Sequence, residues 1–202
     1  SGSARLGRRA TNASADQAMI AVSRPVHDTV VGAGSLDSTA SAGTLAADAG
    51  HVTAFAFDLQ YNKQLTELLG SFRATFGHGG RVYQIGSTAT DTLVVSGQSA
   101  VVTCRASLTD ITVPASPVAI GGNLRLVVTM ADHSGSGGLD SLGLALWKRS
   151  ELLFATGWTG GQVAEAPLLS GDLAVRGGLS LPGPAALAGL ANRGALLGAR
   201  VP

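Results

Sequence analysis

Two alternating stretches separated by a glycine-rich loop constrain this chain more than any other feature. Asn123-Leu-Arg-Leu-Val-Val-Thr-Met130 puts Leu124, Leu126, Val128 and Met130 on one face. Leu139-Asp-Ser-Leu-Gly-Leu-Ala-Leu-Trp147 does the same with Leu142, Leu144 and Leu146. Between them lies Ala131-Asp-His-Ser-Gly-Ser-Gly-Gly138. A period of two over this length means strand, and the glycine-rich break between two such runs means hairpin.

The same signal recurs along the chain. Gln17–Val22 and Val30–Asp37 are short candidate strands. Phe55, Phe57 and Leu59 alternate along one strand, and Leu68, Phe72, Ala74 and Phe76 along the next. His78-Gly-Gly80 reads as a tight turn into Arg81–Gly86. Ser96-Gly-Gln-Ser99 is a hairpin turn between Leu93–Val95 and Ala100–Cys104. Pro114 and Pro117 keep residues 109–122 out of a central strand. Glu151–Ala155 and Asp172–Arg176 complete the set. The reading is an all-β domain over residues 17–176, an antiparallel meander of about eight to ten strands closed as a barrel or two-sheet sandwich. Residues 1–16 read as a disordered lead-in. Residues 177–202 read as a peripheral Gly/Ala/Leu/Pro-rich tail, either a helix over 185–197, opened by Pro184 and docked on the barrel, or a loose extension.

Composition narrows the function classes. The chain is 45% hydrophobic but 4% aromatic and 13% charged, so its apolar content comes from Ala, Val and Leu. A net charge of +1 gives no electrostatic case for nucleic acid or an anionic membrane. No apolar run reaches the roughly 18 residues of a membrane-spanning helix. The low charge density suits an extracellular surface. Arg5, Arg8 and Arg9 are followed by a polar stretch rather than an apolar one, so no signal peptide is read in the sequence. One cysteine, Cys104, excludes an intramolecular disulfide and reads as a small buried hydrophobe.

Several strings, taken in order, resemble the post-COAP (choice-of-anchor-associated) domain of bacterial secreted proteins. They are Asp16–Val22 with Val30–Asp37, Phe55-Ala-Phe-Asp-Leu-Gln-Tyr-Asn-Lys63, Arg81–Ala89, Val127–Asp132 with Leu139–Trp147, and Leu169–Val175. The resemblance spans residues 17–176 and implies a module of a large secreted or surface-anchored protein, with no catalytic residues to carry over. Asp132-His-Ser-Gly-Ser-Gly stands where the family has an acidic loop, which exchanges a carboxylate for an imidazole.

The residues that carry chemistry are few. His27, His51, His78 and His133 all fall at turns or strand ends, and His27-Asp28 and Asp132-His133 pair imidazole with carboxylate. A zinc hydrolase needs about three such ligands and an open position for water. His78 and His133 are the catalytic candidates for a metal-dependent hydrolase of activated esters or phosphoesters. Asp110, Asp132, His133 and Asp140 are the metal candidates, with Asp132, the Ser/Gly loop and Asp140 also offering hard oxygens to calcium. Trp147 and Trp158 are candidates for a carbohydrate platform. The leading expectation is a non-catalytic structural or adhesion module with a glycan or surface partner. The apolar tail makes self-association a further reading.

Overall fold

The computed structural model describes residues 28–177. The lead-in 1–16, the strand expected at Gln17–Val22, His27 and the tail beyond Gly177 lie outside the described residues. The elements are β1 (Thr29–Asp37), β2 (Val52–Tyr61), β3 (Leu68–His78), β4 (Arg81–Ser96), β5 (Ser99–Asp110), β6 (Val118–Ala131), β7 (Ser141–Lys148), β8 (Glu151–Ala155), β9 (Trp158–Thr159), β10 (Gln162–Val163) and β11 (Ala166–Arg176).

The all-β antiparallel expectation holds. Strands β1 to β8 follow one another in a single meander, and β11 returns to pair with β1 on one edge and with the start of β7 on the other. The nine-stranded sheet thus nearly closes into a ring. Alternate side chains fill its interior: Phe55, Phe57 and Leu59 from β2, Phe72 and Phe76 from β3, Leu124, Leu126, Val128 and Met130 from β6, and Leu142, Leu144 and Leu146 from β7 are all buried. The remaining edge of β8 is covered by the β1–β2 connection, where Ala42 and Ala155 exchange backbone bonds of 3.1 and 2.8 Å. Covering an edge in this way removes a template for unwanted pairing.

Local chemistry sets the turns. Gly79 and Gly80 take φ of 59° and 71° in the two-residue turn between His78 and Arg81, the left-handed pair a tight hairpin needs. On β1, Gly32 and Gly34 point inward opposite Phe57 and Phe55. A Cβ on Gly32 would sit 2.7 Å from the Leu173 Cβ and 2.9 Å from the Phe57 ring. The glycines therefore make room for the aromatic rings, and the strand can bend closely around the core.

Three expectations change. Residues 109–122 are not all a connection: β5 runs to Asp110 and β6 begins at Val118, so Pro114 and Pro117 exclude only the loop between the two strands from the sheet. Arg81–Gly86 and Leu93–Val95 are not separate strands but the two ends of β4, whose pairing with β5 shifts register at Ser87/Ala89 and at Thr90/Thr92. These irregularities break the alternation that the sequence pattern relies on. The short hairpin β9–β10 has no mark in the sequence pattern. It lies over the outer face of β7, where a Cβ on Gly143 would meet Val163 at 2.7 Å. That cover is why β7 is buried on both faces. Cys104 is buried as expected, and burial pushes its thiol up to about 11, which leaves a poor nucleophile. No helix among the described residues is long and apolar enough to cross a membrane.

Candidate functional site

Strand direction sorts the candidate residues. Ser99 faces Ala131, and Asp110 faces Val118, so β5 and β6 carry Asp110 and Asp132 to opposite ends of the sheet. That is roughly 35 Å of strand. His78 faces Arg81 at the Asp110 end, and His133 follows β6 at the other. A single site containing both histidines is therefore not formed, and Asp110 does not join Asp132, His133 and Asp140. Hairpin topology is the cause: successive turns of a meander fall at alternate ends.

At the first end, Arg81 donates to the Asp110 carboxylate at 2.9 Å, and Thr112 donates to the same carboxylate from its hydroxyl (2.6 Å) and backbone (2.9 Å). The Thr112 bonds, with Arg81 behind them, hold Asp110 below the usual carboxylate range. His78 Nδ1 is 2.6 Å from the Ala46 carbonyl oxygen. Asp48 accepts from the Gly79 N–H at 3.1 Å. These contacts fasten the β1–β2 connection and the β5–β6 connection to the ends of their strands.

At the second end, Asp132 and Asp140 flank the loop between β6 and β7. Beyond Pro167, β11 has no ladder partner on the β7 side, and the two carboxylates stand in for one. Asp140 accepts from the Leu173 N–H at 3.0 Å and from the His133 N–H at 2.7 Å. Asp132 accepts from the Val175 N–H at 3.1 Å and from Ser134, 3.0 Å to its backbone and 2.5 Å to its hydroxyl. Every oxygen of both carboxylates thus takes a bond from the chain. Burial pushes Asp132 up, but the bonds from Ser134 and Val175 and the nearby His133 outweigh it and leave its carboxyl lowered. Asp172 joins the cluster from β11. Its hydrogen bond with Asp140, then burial and repulsion from Asp140, raise its carboxyl above the ordinary range. Nothing local in the sequence marks Asp172; only the register of β11 brings it to Asp140. Among the described residues, no group of three or more His, Cys, Asp or Glu side chains is placed to hold a metal ion.

Trp147 and Trp158 do come together. Their rings meet edge to face with centroids 5.4 Å apart, and each is only half-buried. Trp147 is covered by the β9–β10 hairpin rather than lying open on the sheet.

A concavity lies elsewhere, on the outer face of β11, β1, β2 and β3. It encloses about 560 Å³ and is lined by Val31, Ala33, Ala56, Asp58, Ser71, Arg73, Asp172 and Ala174 with the backbone beneath them. A smaller hollow of about 210 Å³ continues it past Ala56 and Arg73 to Ala54 and Thr75. The alternation that places Phe57 and Phe72 inside places these small residues outside. Ala and Ser on a solvent face carry no signal of their own in the sequence. Comparison with protein-family models, with curated proteins and with solved structures finds no match.

Proposed function

We propose that this chain is a non-catalytic structural or adhesion module of an extracellular bacterial protein. The observation that carries the reading is the use made of its polar residues. Asp110, Asp132 and Asp140 hold the strand ends and the seam of the sheet through bonds to backbone and Thr, Ser or Arg donors. Groups engaged in this way fix a rigid scaffold and leave recognition to loops and outer faces. The resemblance of residues 17–176 to the post-COAP domain supports the same class and the extracellular setting. A hydrolase built on His78 and His133 draws no support from two residues at opposite ends of the strands. Carbohydrate binding remains the second reading, on the half-buried Trp147–Trp158 pair.

The test combines metal content with two substitutions. Elemental mass spectrometry of the full chain, dialysed at neutral pH without chelator, is expected to find no stoichiometric transition metal. His133→Ala is expected to change stability by less than about 0.5 kcal/mol, the usual range for a surface substitution. His78→Ala is expected to cost about 1 kcal/mol, one hydrogen bond. Stoichiometric zinc, lost in either variant, would overturn the non-catalytic reading. Quenching of tryptophan fluorescence by a glycan, abolished by Trp158→Ala, would favour the carbohydrate reading instead.

A further inference from the structure

One row of side chains crosses the outer face of β5, β6 and β7. Arg105 stands directly opposite Arg125, and Arg125 directly opposite Trp147. Their sequence neighbours Cys104, Leu124, Leu126 and Leu146 are buried in the core, so alternation turns the row outward. Like charges directly opposed on a sheet repel, and little on the chain relieves this pair. Arg105 donates to the Asn123 side-chain oxygen at 2.7 Å and reaches Asp91 only at 3.8 Å. Arg125 is exposed and, among the described residues, makes no hydrogen bond or ion pair. The turn after Trp147 adds Lys148 and Arg149 against Glu151.

We infer that this row binds an acidic glycan, with a carboxylate or sulfate of the sugar held by Arg125 and Arg105 and a sugar ring set against the Trp147–Trp158 pair. The inference rests on the carbohydrate-binding reading of that pair and names its ligand class. An anionic group beside Arg125 gains charge-assisted bonds from a planar fork of donors, and it relieves the repulsion between the two guanidiniums. Asn123 already holds the Arg105 guanidinium over β6, which lowers the ordering that binding requires. The axes of β5 and β7 lie about 10 Å apart, so one oligosaccharide segment can touch both the arginines and the indoles. The half-buried tryptophans supply the apolar surface that a sugar ring stacks on. A nucleic-acid strand suits the row less well. Its affinity comes from many phosphate contacts, and this row is short on a chain of net charge +1.

Both tryptophans of the chain lie in this site, so the intrinsic fluorescence of the full chain reads it directly. Titration with oligogalacturonate and its methyl ester, and with dextran sulfate and dextran, separates charge from sugar and carboxylate from sulfate. At least one acidic probe is expected to bind about tenfold tighter than its neutral counterpart at low salt, the effect of one charge-assisted bond. The advantage should fall as salt rises. Arg125→Gln should remove most of it, and Arg125→Lys, which keeps the charge without the fork, should restore only part. Trp158→Ala should weaken acidic and neutral probes alike. Equal affinities for acidic and neutral probes, both lost in Trp158→Ala, would overturn the inference and leave the carbohydrate reading standing. No binding of any probe would overturn both. An acidic advantage that survives Arg105→Gln/Arg125→Gln would place the anion elsewhere and overturn the site. Binding of oligothymidylate tighter than either acidic glycan would overturn it in favour of single-stranded nucleic acid.

Discussion

Phe76→Ala is expected to destabilise the protein by about 3–5 kcal/mol, a large share of the roughly 5–15 kcal/mol that holds a domain of this kind folded. Phe76 is fully buried on β3 and stacks on Phe154 of β8 with centroids 3.9 Å apart and planes 10° from parallel. It also meets Tyr83 of β4 at 5.5 Å. β3 and β8 share no ladder, so this ring joins walls that hydrogen bonds do not join. Truncation removes the apolar area and leaves a cavity that neighbouring strands, fixed by their ladders, cannot close. Urea unfolding should show the midpoint lowered with the slope unchanged, and Phe76→Leu should restore most of the loss. A slope that falls with the midpoint would instead mean that the β8 side had opened on its own.

Most of the sheet is legible in the sequence because hairpin pairing is local. The alternation of Phe55, Phe57 and Leu59, the His78-Gly-Gly-Arg81 turn and the Leu124–Met130 run each name a strand and its inward face, and the structure keeps all three. What closes the ring is not local. β11 pairs with β1, more than a hundred residues earlier, through Gly32 and Gly34, which have no side chain to report a face. The hairpin β9–β10 has strands of two residues each, too short for any period to register. The same holds for the acidic cluster. The sequence marks Asp132 and Asp140 as a candidate cation loop, because one donor to each carboxylate belongs to a residue 43 or 33 positions away. A backbone N–H left free by a diverging strand leaves no trace in residue type, so Val175 and Leu173 look like any other inward-facing positions.

Asp132→Ala is expected to cost about 3 kcal/mol, and to open the join of β11 to β7 before the rest of the sheet. The variant leaves the buried Val175 N–H without an acceptor, and an unmade buried bond of this kind costs about 1–3 kcal/mol. The lost bonds to Ser134 add to it by loosening the loop. Amide hydrogen exchange should locate the effect: Val175 and Leu173 lose protection, while Leu126 and Val128 in β6 follow only global unfolding. The pH dependence has a definite sign. The folded-state value of Asp132 lies below its unfolded value, so its contribution is complete above the ordinary carboxylate range and is lost as pH falls through the folded value. Asp172 acts in the opposite direction. Its folded value is raised, chiefly by its hydrogen bond with Asp140, so it penalises the fold as pH rises from its unfolded to its folded value. Asp172→Asn keeps a donor for Asp140 and removes that penalty. It should therefore be more stable than wild type at pH 7, with the difference shrinking to nothing once the pH is below the ordinary carboxylate range. Thermal unfolding of the two proteins across this range measures it. A gain that persisted unchanged at low pH would show that Asp172 acts through packing rather than through its charge beside Asp140.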